Sequence, residues 1–441
     1  MYKKTKNFIC LFLAVLILMI SVIPVCASDG LKVEFTTDIS YSGENWWDRG
    51  VQYGRLLVLK NSADGQNGTI LATHCELNAG LVDHAPGYPI YRSSDNGKTW
   101  NRITLVSDTL TGCNSEWNPF LFELEKDCGI YPAGTIILAA CSIDADHSKE
   151  SHIRLYFSTD SGENFSQGVV VASAGGLEEG VWEPFLLQLD DGRLVCYYSD
   201  DSDTDHSQKI VYKISADCEN WSESVDVVAT DIFAERPGMP VVTRLGDGSY
   251  FMVYEVVDKD GIDGNPVYFR RSADGLDWGD EKDIGTELIS HNGKKALGSA
   301  PYCAWTPVGG EKGTLVVSGA FMRKGKSDTG TDLFISNDYG ESWVTISHPI
   351  PYTQDDHVGY SNSFTFSEDG RYMYSINNPQ IPDNTEKSKM VFALTDFEES
   401  MASIDIESAK QNYTPLIIIL ISASAVITTV IIVICLKKKN Q

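Results

Sequence analysis

The stretch Ser93-Ser94-Asp95-Asn96-Gly97-Lys98-Thr99-Trp100 decides the fold of this chain, because it recurs. Related octets begin at Ser158 and Ser336, and shorter versions begin at Ser215 and Ser272. The motif aspartates are 65, 57, 57 and 64 residues apart, at Asp95, Asp160, Asp217, Asp274 and Asp338. A period of this length indicates one supersecondary unit per repeat.

Each motif predicts a β-turn, since Ser and Asp side chains bond to nearby backbone N–H groups and Gly permits a positive φ. A second repeat precedes each motif and opens a pair of alternating strands. Its openings are Tyr53-Gly54-Arg55, Trp117-Asn118-Pro119, Trp182-Glu183-Pro184, Gly238-Met239-Pro240, Ser299-Ala300-Pro301 and Tyr360-Ser361-Asn362. Six units of about four strands predict an all-β, six-bladed β-propeller.

The five turn motifs resemble the Asp box, or BNR repeat, of the sialidase superfamily. The resemblance implies that the boxes lie between the third and fourth strands of a blade and that their aspartates are structural. The sixth unit has no box. We expect the segment Leu31 to Thr36 to supply its fourth strand and close the ring.

The two ends of the chain predict export and a membrane anchor. Lys3, Lys4 and Lys6 precede an apolar run, which indicates a signal peptide over residues 1–27. Residues 415–436 are apolar and long enough to span a bilayer, and the lysine-rich residues 437–441 form a predicted cytoplasmic tail. Between them we expect the propeller over 28–397 and a juxtamembrane stalk over 398–414. The expected location is the cell membrane, with a single span and the ectodomain outside.

Charge and cysteine usage restrict the partners. The formal net charge of −26 opposes nucleic-acid binding, so we expect a carbohydrate ligand and a monomer. No Cys/His spacing typical of a metal site is present, and we expect neither metal nor cofactor. Cys113 and Cys128 could close one loop, although an odd number of cysteines argues against a disulfide framework.

Two glutamates are the candidate catalytic residues. In a four-stranded blade the first strand begins, and the second ends, at the mouth of the central channel. Glu183 opens the first strand of the third unit, and Glu255 closes the second strand of the fourth. Glycoside hydrolysis needs such a carboxyl pair, about 5–6 Å apart in a retaining enzyme.

Their neighbours suggest which glutamate does what. Trp182 and Pro184 would desolvate Glu183 and raise its pKa, as suits an acid/base, whereas Arg236 would keep Glu255 ionised as the nucleophile. The reverse assignment stays open, and Asp200 and Asp201, at the corresponding strand end of the third unit, are reserve carboxylates. The candidate substrate-binding residues, chosen for the same strand ends or for stacking on sugar rings, are Arg55, Trp117, Asn118, Trp182, Asp200, Arg236 and Tyr254.

The segments Trp182-Glu183-Pro184-Phe185 and Val253-Tyr254-Glu255, with Arg236 between them, resemble the exo-acting arabinanases of the sialidase-like propellers. This resemblance implies a retaining exo-glycosidase that releases short units from neutral α-1,5-linked arabinan. Two alternatives remain at this point. A sialidase needs three arginines around a carboxylate, of which Arg55 and Arg236 supply two. A non-catalytic glycan-binding or receptor propeller would need no carboxyl pair.

Overall fold

The computed structural model describes residues 30–45, 50–76, 87–113, 115–143, 150–175, 179–261, 264–291, 294–353, 358–381, 384–404 and 406. The predicted signal peptide, membrane span and cytoplasmic tail lie outside these residues. Within the described ranges, no helix combines the length and the apolar character that a membrane crossing requires.

The first half of the described chain is built from strands joined by tight turns. In chain order these are β1 Lys32–Asn45, β2 Val51–Val58, β3 Ile70–Glu76, β4 Tyr88–Ser93, β5 Asn101–Val106, β6 Ser115–Glu123, β7 Ile136–Ile143, β8 Ser151–Ser158, β9 Ser166–Ala174, β10 Val181–Gln188, β11 Leu194–Asp200, β12 Lys209–Ser215 and β13 Val225–Val228.

The second half continues the pattern and ends in a helix. It contains β14 Arg236–Arg244, β15 Tyr250–Val257, a 3₁₀ turn at Lys259–Gly261, β16 Val267–Ser272, β17 Thr286–Glu287, β18 Ala296–Gly298, β19 Tyr302–Thr306, β20 Thr314–Ser318, β21 Phe321–Lys324, β22 Asp332–Ser336, β23 Val344–Ser347, β24 Ser363–Phe366, β25 Tyr372–Asn377, β26 Gln380–Ile381, β27 Asn384–Asp396 and α1 Phe397–Ser403.

Six of the antiparallel sheets that these strands form correspond to the six predicted units, and a seventh sheet has only two strands. Blades 1 to 4 have the orders β2-β3-β4-β5, β6-β7-β8-β9, β10-β11-β12-β13 and β14-β15-β16-β17. Blade 5 is β19-β20-β22-β23 with the additional pair β18-β21, and blade 6 is β24-β25-β27-β1 with β26 attached to β27. The predicted six-bladed propeller is confirmed.

The N-terminal strand closes the ring, as the sequence predicted. β1 pairs with β27 in antiparallel register, from Lys32 opposite Asp396 to Asn45 opposite Lys387. It is the outermost strand of blade 6, although it extends nine residues beyond the predicted Thr36. Pairing the first strand with the last sheet closes the ring by joining the two ends of the propeller in one blade.

The Asp boxes lie between the third and fourth strands of blades 1 to 5, and their aspartates hold the turn. In blade 1, Asp95 Oδ1 accepts bonds from Ser93 Oγ and Thr99 N, at 2.8 and 2.9 Å. Gly97 has a φ of +84°, and an added methyl group there would collide with the ring of Phe392. The box of blade 1 therefore requires glycine at position 97 both for its turn and for contact with the neighbouring blade.

Each box aromatic packs on the preceding blade. The Trp100 ring lies 5.3 Å from Phe392 of blade 6, and Trp343 lies 5.8 Å from Phe251 of blade 4. Contacts of this kind merge the blade faces into a nearly continuous apolar core. Burying both faces of every blade stabilises the ring, at about 25 cal/mol per Å² of apolar surface removed from water.

The short helix α1 follows blade 6 directly. Asp396 caps it by accepting from Glu399 N at 3.0 Å, and Phe397 and Met401 are buried. Lys32 N of β1 donates to Ser400 Oγ at 2.8 Å. The start of the expected polar stalk therefore packs on the propeller, because Phe397 contacts Phe366 of blade 6 and Ser400 and Met401 are buried.

Candidate active site

The first strand of each blade begins with an irregular backbone at the channel mouth. In β2, β6, β10 and β14 the register shifts there as at a β-bulge. At five of the six positions one residue has a positive φ, and in blade 5 two residues do. These residues are Tyr53 (60°), Asn118 (50°), Glu183 (61°), Met239 (56°), Ser299 (57°) with Ala300 (43°), and Ser361 (52°). Bulges re-aim side chains, and strained backbone concentrates at functional sites. Glu183 is the acidic member of this ring.

A second ring of positions lies at the ends of the second strands. In blades 1 to 4 the side chain there accepts the N–H of the positive-φ residue of the next blade. The pairs are Asn118 N to Cys75, Glu183 N to Cys141, Met239 N to Ser199 and Ala300 N to Glu255. Where three blades use a thiol or hydroxyl for this structural bond, blade 4 uses a carboxylate.

Glu183 is partly exposed at the mouth, with one oxygen held in place. Its Oε2 accepts from Ser199 Oγ at 2.6 Å and from Met239 N at 3.0 Å. Burial raises the pKa of Glu183 to about 8, and the negative charge of Glu255 contributes in the same direction. A carboxyl group with this pKa is protonated at neutral pH and can donate a proton.

Glu255 is buried and held by two donors from blade 5. Its Oε2 accepts from Ser299 Oγ and from Ala300 N, both at 2.8 Å. Burial raises the pKa of Glu255, while these two bonds, the Asn265 side chain and the charge of Arg236 all act to lower it. These groups stabilise the carboxylate form, as a nucleophile requires.

The two glutamates face a common space together with Tyr360. The charges of Glu255 and Glu183 both add to the burial that raises the pKa of Tyr360 well above its usual value. The Tyr360 hydroxyl reaches from the start of blade 6 to Met239 Sδ in blade 4, at 3.5 Å. A thioether is a weak acceptor, so this hydroxyl is available for a stronger partner.

Arg236 and Asp201 form an ion pair beside the glutamates. Arg236 Nη2 donates to Asp201 Oδ2 at 3.0 Å and to Gln208 Oε1 at 2.9 Å. Burial raises the pKa of Asp201 to about 6, against the opposing effect of Arg236 and of a hydrogen bond from Trp182. Asp201 in turn raises the pKa of Glu183. The structure thus brings Arg236 and Trp182 together with both glutamates.

Arg55 occupies a different environment from the one expected for a substrate-binding residue. It is 3% exposed, and its guanidinium donates to Gly54 O and Ser361 O, at 2.8 and 2.9 Å. It stacks 3.9 Å from the Tyr53 ring and 5.2 Å from the Tyr302 ring. Its position corrects the expectation, because these contacts tie blades 1, 5 and 6 together around the channel.

Two tryptophans and an asparagine border the mouth on blades 2 and 3. The Trp117 and Trp182 rings lie 6.3 Å apart, and Trp117 Nε1 donates to Ser115 Oγ at 2.9 Å. Asn118 is buried, and its Oδ1 has no hydrogen-bond partner among the described residues. The structure places these three residues at the starts of the first strands of blades 2 and 3, and their expected role in binding substrate stays a prediction.

Tyr254 and Asp200 point away from the site. Tyr254 is fully buried and its hydroxyl donates to Ile284 O at 2.6 Å, because adjacent residues of a strand face opposite sides and Glu255 takes the mouth side. Asp200 Oδ1 accepts from Ser202 N and Oγ, at 2.9 and 2.6 Å. Both were expected to bind substrate, and the structure instead gives Tyr254 a core position and Asp200 a turn-capping one.

Sequence reasoning missed three neighbours of the pair. Tyr360 opens the sixth unit, and that signal was used only to count blades. Asp201 was named only as a reserve, and Met239 only as a strand start. These three residues come together only because their side chains lie on the mouth side of their strands, and that direction could not be deduced from the sequence.

The architecture and the site can be compared with known proteins. No protein-family model matches the chain, and no curated protein sequence matches it significantly. Among solved structures, the α-L-arabinanase of Penicillium chrysogenum complexed with arabinobiose superposes with a TM-score of 0.71 and 31% identity, covering 84% of this chain and 99% of that one.

A GH93 α-L-arabinofuranosidase of Fusarium graminearum, also complexed with arabinobiose, gives a TM-score of 0.70 at 29% identity, covering 83% and 99% of the two chains. The intramolecular trans-sialidase of Ruminococcus gnavus gives 0.54 at 14% identity, covering 83% and 98%. The last similarity concerns the fold alone.

Proposed function

Since the chain belongs to the GH93 family of glycoside hydrolases, with the α-L-arabinanases and α-L-arabinofuranosidases, we propose that it hydrolyses arabinan as a retaining exo-glycosidase. The observation that carries the proposal is the pair of carboxyl groups at the mouth of the channel. Glu183 and Glu255 come from adjacent blades, and the charge of one raises the pKa of the other.

In this proposal Glu183 is the general acid and base. Its carboxyl group is protonated at neutral pH and lies partly exposed at the mouth. In the first step it protonates the oxygen of the leaving sugar, so the glycosidic bond breaks without forming a free alkoxide. In the second step it takes a proton from water, which then attacks the intermediate.

Glu255 is the nucleophile. It attacks the anomeric carbon of the arabinofuranose as that bond breaks, giving a glycosyl ester that water hydrolyses with return of the original configuration. Ala300 N, Ser299 Oγ and the charge of Arg236 favour the ionised form of Glu255 before attack. The same donors stabilise the carboxylate when it leaves the intermediate.

The contacts of two arginines, Arg55 and Arg236, argue against an anionic sugar such as sialic acid as the substrate. Strong recognition of a sugar carboxylate needs guanidinium groups free to form paired hydrogen bonds. Arg55 donates to backbone carbonyls beneath the mouth, and Arg236 is paired with Asp201. This engagement favours a neutral sugar over sialic acid.

The proposal includes the site of action. The predicted signal peptide and membrane span would place the propeller outside the cell, tethered by its C-terminal end, where polysaccharides are available. Asn118 and the Trp117–Trp182 pair would bind the sugar next to the scissile bond, through the Asn118 amide and stacking on the rings.

The test is hydrolysis by the full chain of linear arabinan, compared with arabinoxylan and sialyl-lactose. We expect release of short arabinose units from arabinan and no release of sialic acid. Glu183→Gln and Glu255→Gln should each reduce the rate on arabinan by about 10²–10⁴-fold. The exposed Glu223→Gln is the matched control. Unchanged activity in both site variants would overturn the assignment.

A further inference from the structure

The hairpin turn of blade 2 contacts the Asp box of blade 3, on the face of the propeller opposite the mouth. Cys128 lies in the turn between β6 and β7, where its N–H and carbonyl both bond to Tyr131, at 2.8 and 3.1 Å. Gly129 has a φ of +59°, and a methyl group added there would lie 2.6 Å from Asp217 O and 2.7 Å from Asp217 Cα. The two turns are therefore in direct backbone contact.

This contact brings two thiols together. Cys218 follows Asp217 in the Asp box and has a φ of 63°. Its thiol and that of Cys128 are hydrogen-bonded to each other, and both residues are at most 1% exposed. Both cysteines are present in the structure as free thiols.

The neighbouring pair of blades shows what this position does. Ser161 occupies the same place in the box of blade 2, with a similar φ of 56°. Its hydroxyl donates to Asp64 Oδ1 at 2.7 Å and lies 3.1 Å from Ser62 Oγ, in the corresponding turn of blade 1. The fourth box residue is thus a link to the preceding blade, and in blade 3 that link is made by two sulfur atoms.

A bond between two thiols is weak, since sulfur is a poor donor and a poor acceptor. The reduced cysteines therefore connect blades 2 and 3 less firmly than Ser161 and Asp64 connect blades 1 and 2. A covalent bond between Cys128 and Cys218 would instead connect blades 2 and 3 more firmly than blades 1 and 2. It would close a loop that contains all of β7 to β12, including the strand that carries Glu183.

We propose that Cys128 and Cys218 form a disulfide bond that joins blade 2 to blade 3 when the chain folds under oxidising conditions. Each thiol gives up its proton, a bond forms between the two sulfurs, and two electrons pass to a disulfide oxidant such as oxidised glutathione. The oxidant is cleaved to two thiols, which take up the two protons. The bond forms as blades 2 and 3 pack during folding, while the oxidant still reaches the two sulfurs, because both are buried afterwards.

The test uses the full chain, unfolded in reduced form and refolded in buffers that contain either oxidised glutathione or dithiothreitol. Circular dichroism identifies the refolded fraction, and alkylation followed by non-reducing peptide mapping identifies the bonds. We expect one cross-linked pair of peptides containing Cys128 and Cys218, and alkylation of the other five cysteines that the structure describes. The oxidised form should melt about 5 °C above the reduced form, because the loop is long.

Cys128→Ser and Cys218→Ser should each abolish the dependence of the melting temperature on dithiothreitol. The matched control is Cys113→Ser, which removes the partner that the sequence suggested for Cys128 and should keep the dependence. Cys128 and Cys218 lie away from the mouth, so these two variants should keep the activity of the reduced wild type. The proposal is overturned if both cysteines remain alkylated in the oxidised, refolded chain, or if either one pairs elsewhere.

Discussion

Ala300 donates its backbone N–H to Glu255 Oε2 at 2.8 Å, across the boundary between blades 5 and 4. The bond is one of a series that joins consecutive blades around the mouth. In the preceding blades the acceptor is Cys75, Cys141 or Ser199. The carboxylate that we propose as the nucleophile therefore occupies a position that the propeller uses for structure, so its geometry is set by the contact between blades.

The pH dependence of activity should depend on Asp201. The acid form of Glu183 is lost as the pH rises through about 8, which sets the alkaline limit of kcat/KM. Asp201→Asn removes a negative charge that raises this pKa and releases Arg236 from its partner. Both changes favour the ionised form of Glu183, so we expect the alkaline limit to move to lower pH.

The measurement is kcat/KM on arabinan from pH 4 to pH 10. Asp205→Asn, in the same loop but with an exposed carboxyl group, should leave the profile unchanged. The acid limit should reflect Glu255, whose activity is lost as the pH falls through its raised pKa. An alkaline limit in Asp201→Asn that stays fixed or moves upward would show that Asp201 does not act on Glu183.

Glu116 should make the protein less stable at high pH. Both of its carboxyl oxygens are buried and have no partner among the described residues, and burial together with the charge of Asp108 raises its pKa to about 8. An unfolded chain releases this proton near pH 4.3. Between these values the folded state keeps a proton that the unfolded state has lost, so stability falls as the pH rises.

Glu116→Gln removes this dependence. Urea unfolding at pH 4, 6 and 8 should show similar stability for the variant and the wild type at pH 4 and a growing advantage of the variant at higher pH. The exposed Glu125→Gln serves as the control. A stability difference that is the same at all three pH values would contradict the assigned pKa.

The Asp boxes should matter for stability and leave catalysis unchanged. Asp160 accepts from Asn164 N at 3.0 Å and from Ser158 Oγ at 2.8 Å, on the face opposite the mouth. Asp160→Ala removes these bonds and should cost about 1–3 kcal/mol of unfolding free energy. The kcat on arabinan at 25 °C should be unchanged. A large loss of kcat in a fully folded variant would assign the box a role in the reaction.

The sequence was sufficient to predict the architecture because turn motifs mark the boundaries of each repeat. The five boxes identified five blades, and one further strand opening identified the sixth. Because the sixth unit has no box, its fourth strand had to come from elsewhere, which pointed to β1 as the closing strand. The same strand ends selected Glu183 and Glu255. Each of these inferences uses a turn or a strand boundary. Such features are encoded by residues that are adjacent in the sequence and do not depend on distant contacts.

Side-chain direction was harder to predict, because it depends on the bulges. Tyr254 was expected at the mouth because it adjoins Glu255, yet neighbouring residues of a strand face opposite sides. Arg55 has the right strand position, but Tyr53, Tyr302 and Ser361 surround it within the channel. Partners such as Cys128 and Cys218, 90 residues apart, meet only when two blades pack.

The most direct test of the central claim compares two substrates that differ in leaving group. An aryl glycoside of the released arabinose unit, with a dinitrophenolate leaving group, needs no proton from the enzyme when its bond breaks. Glu183→Gln should therefore form the glycosyl intermediate on this substrate nearly as fast as the wild type, while losing hydrolysis of arabinan. Glu255→Gln should lose both activities. Equal losses on both substrates in Glu183→Gln, or substantial activity in Glu255→Gln, would contradict the division of roles between the two glutamates.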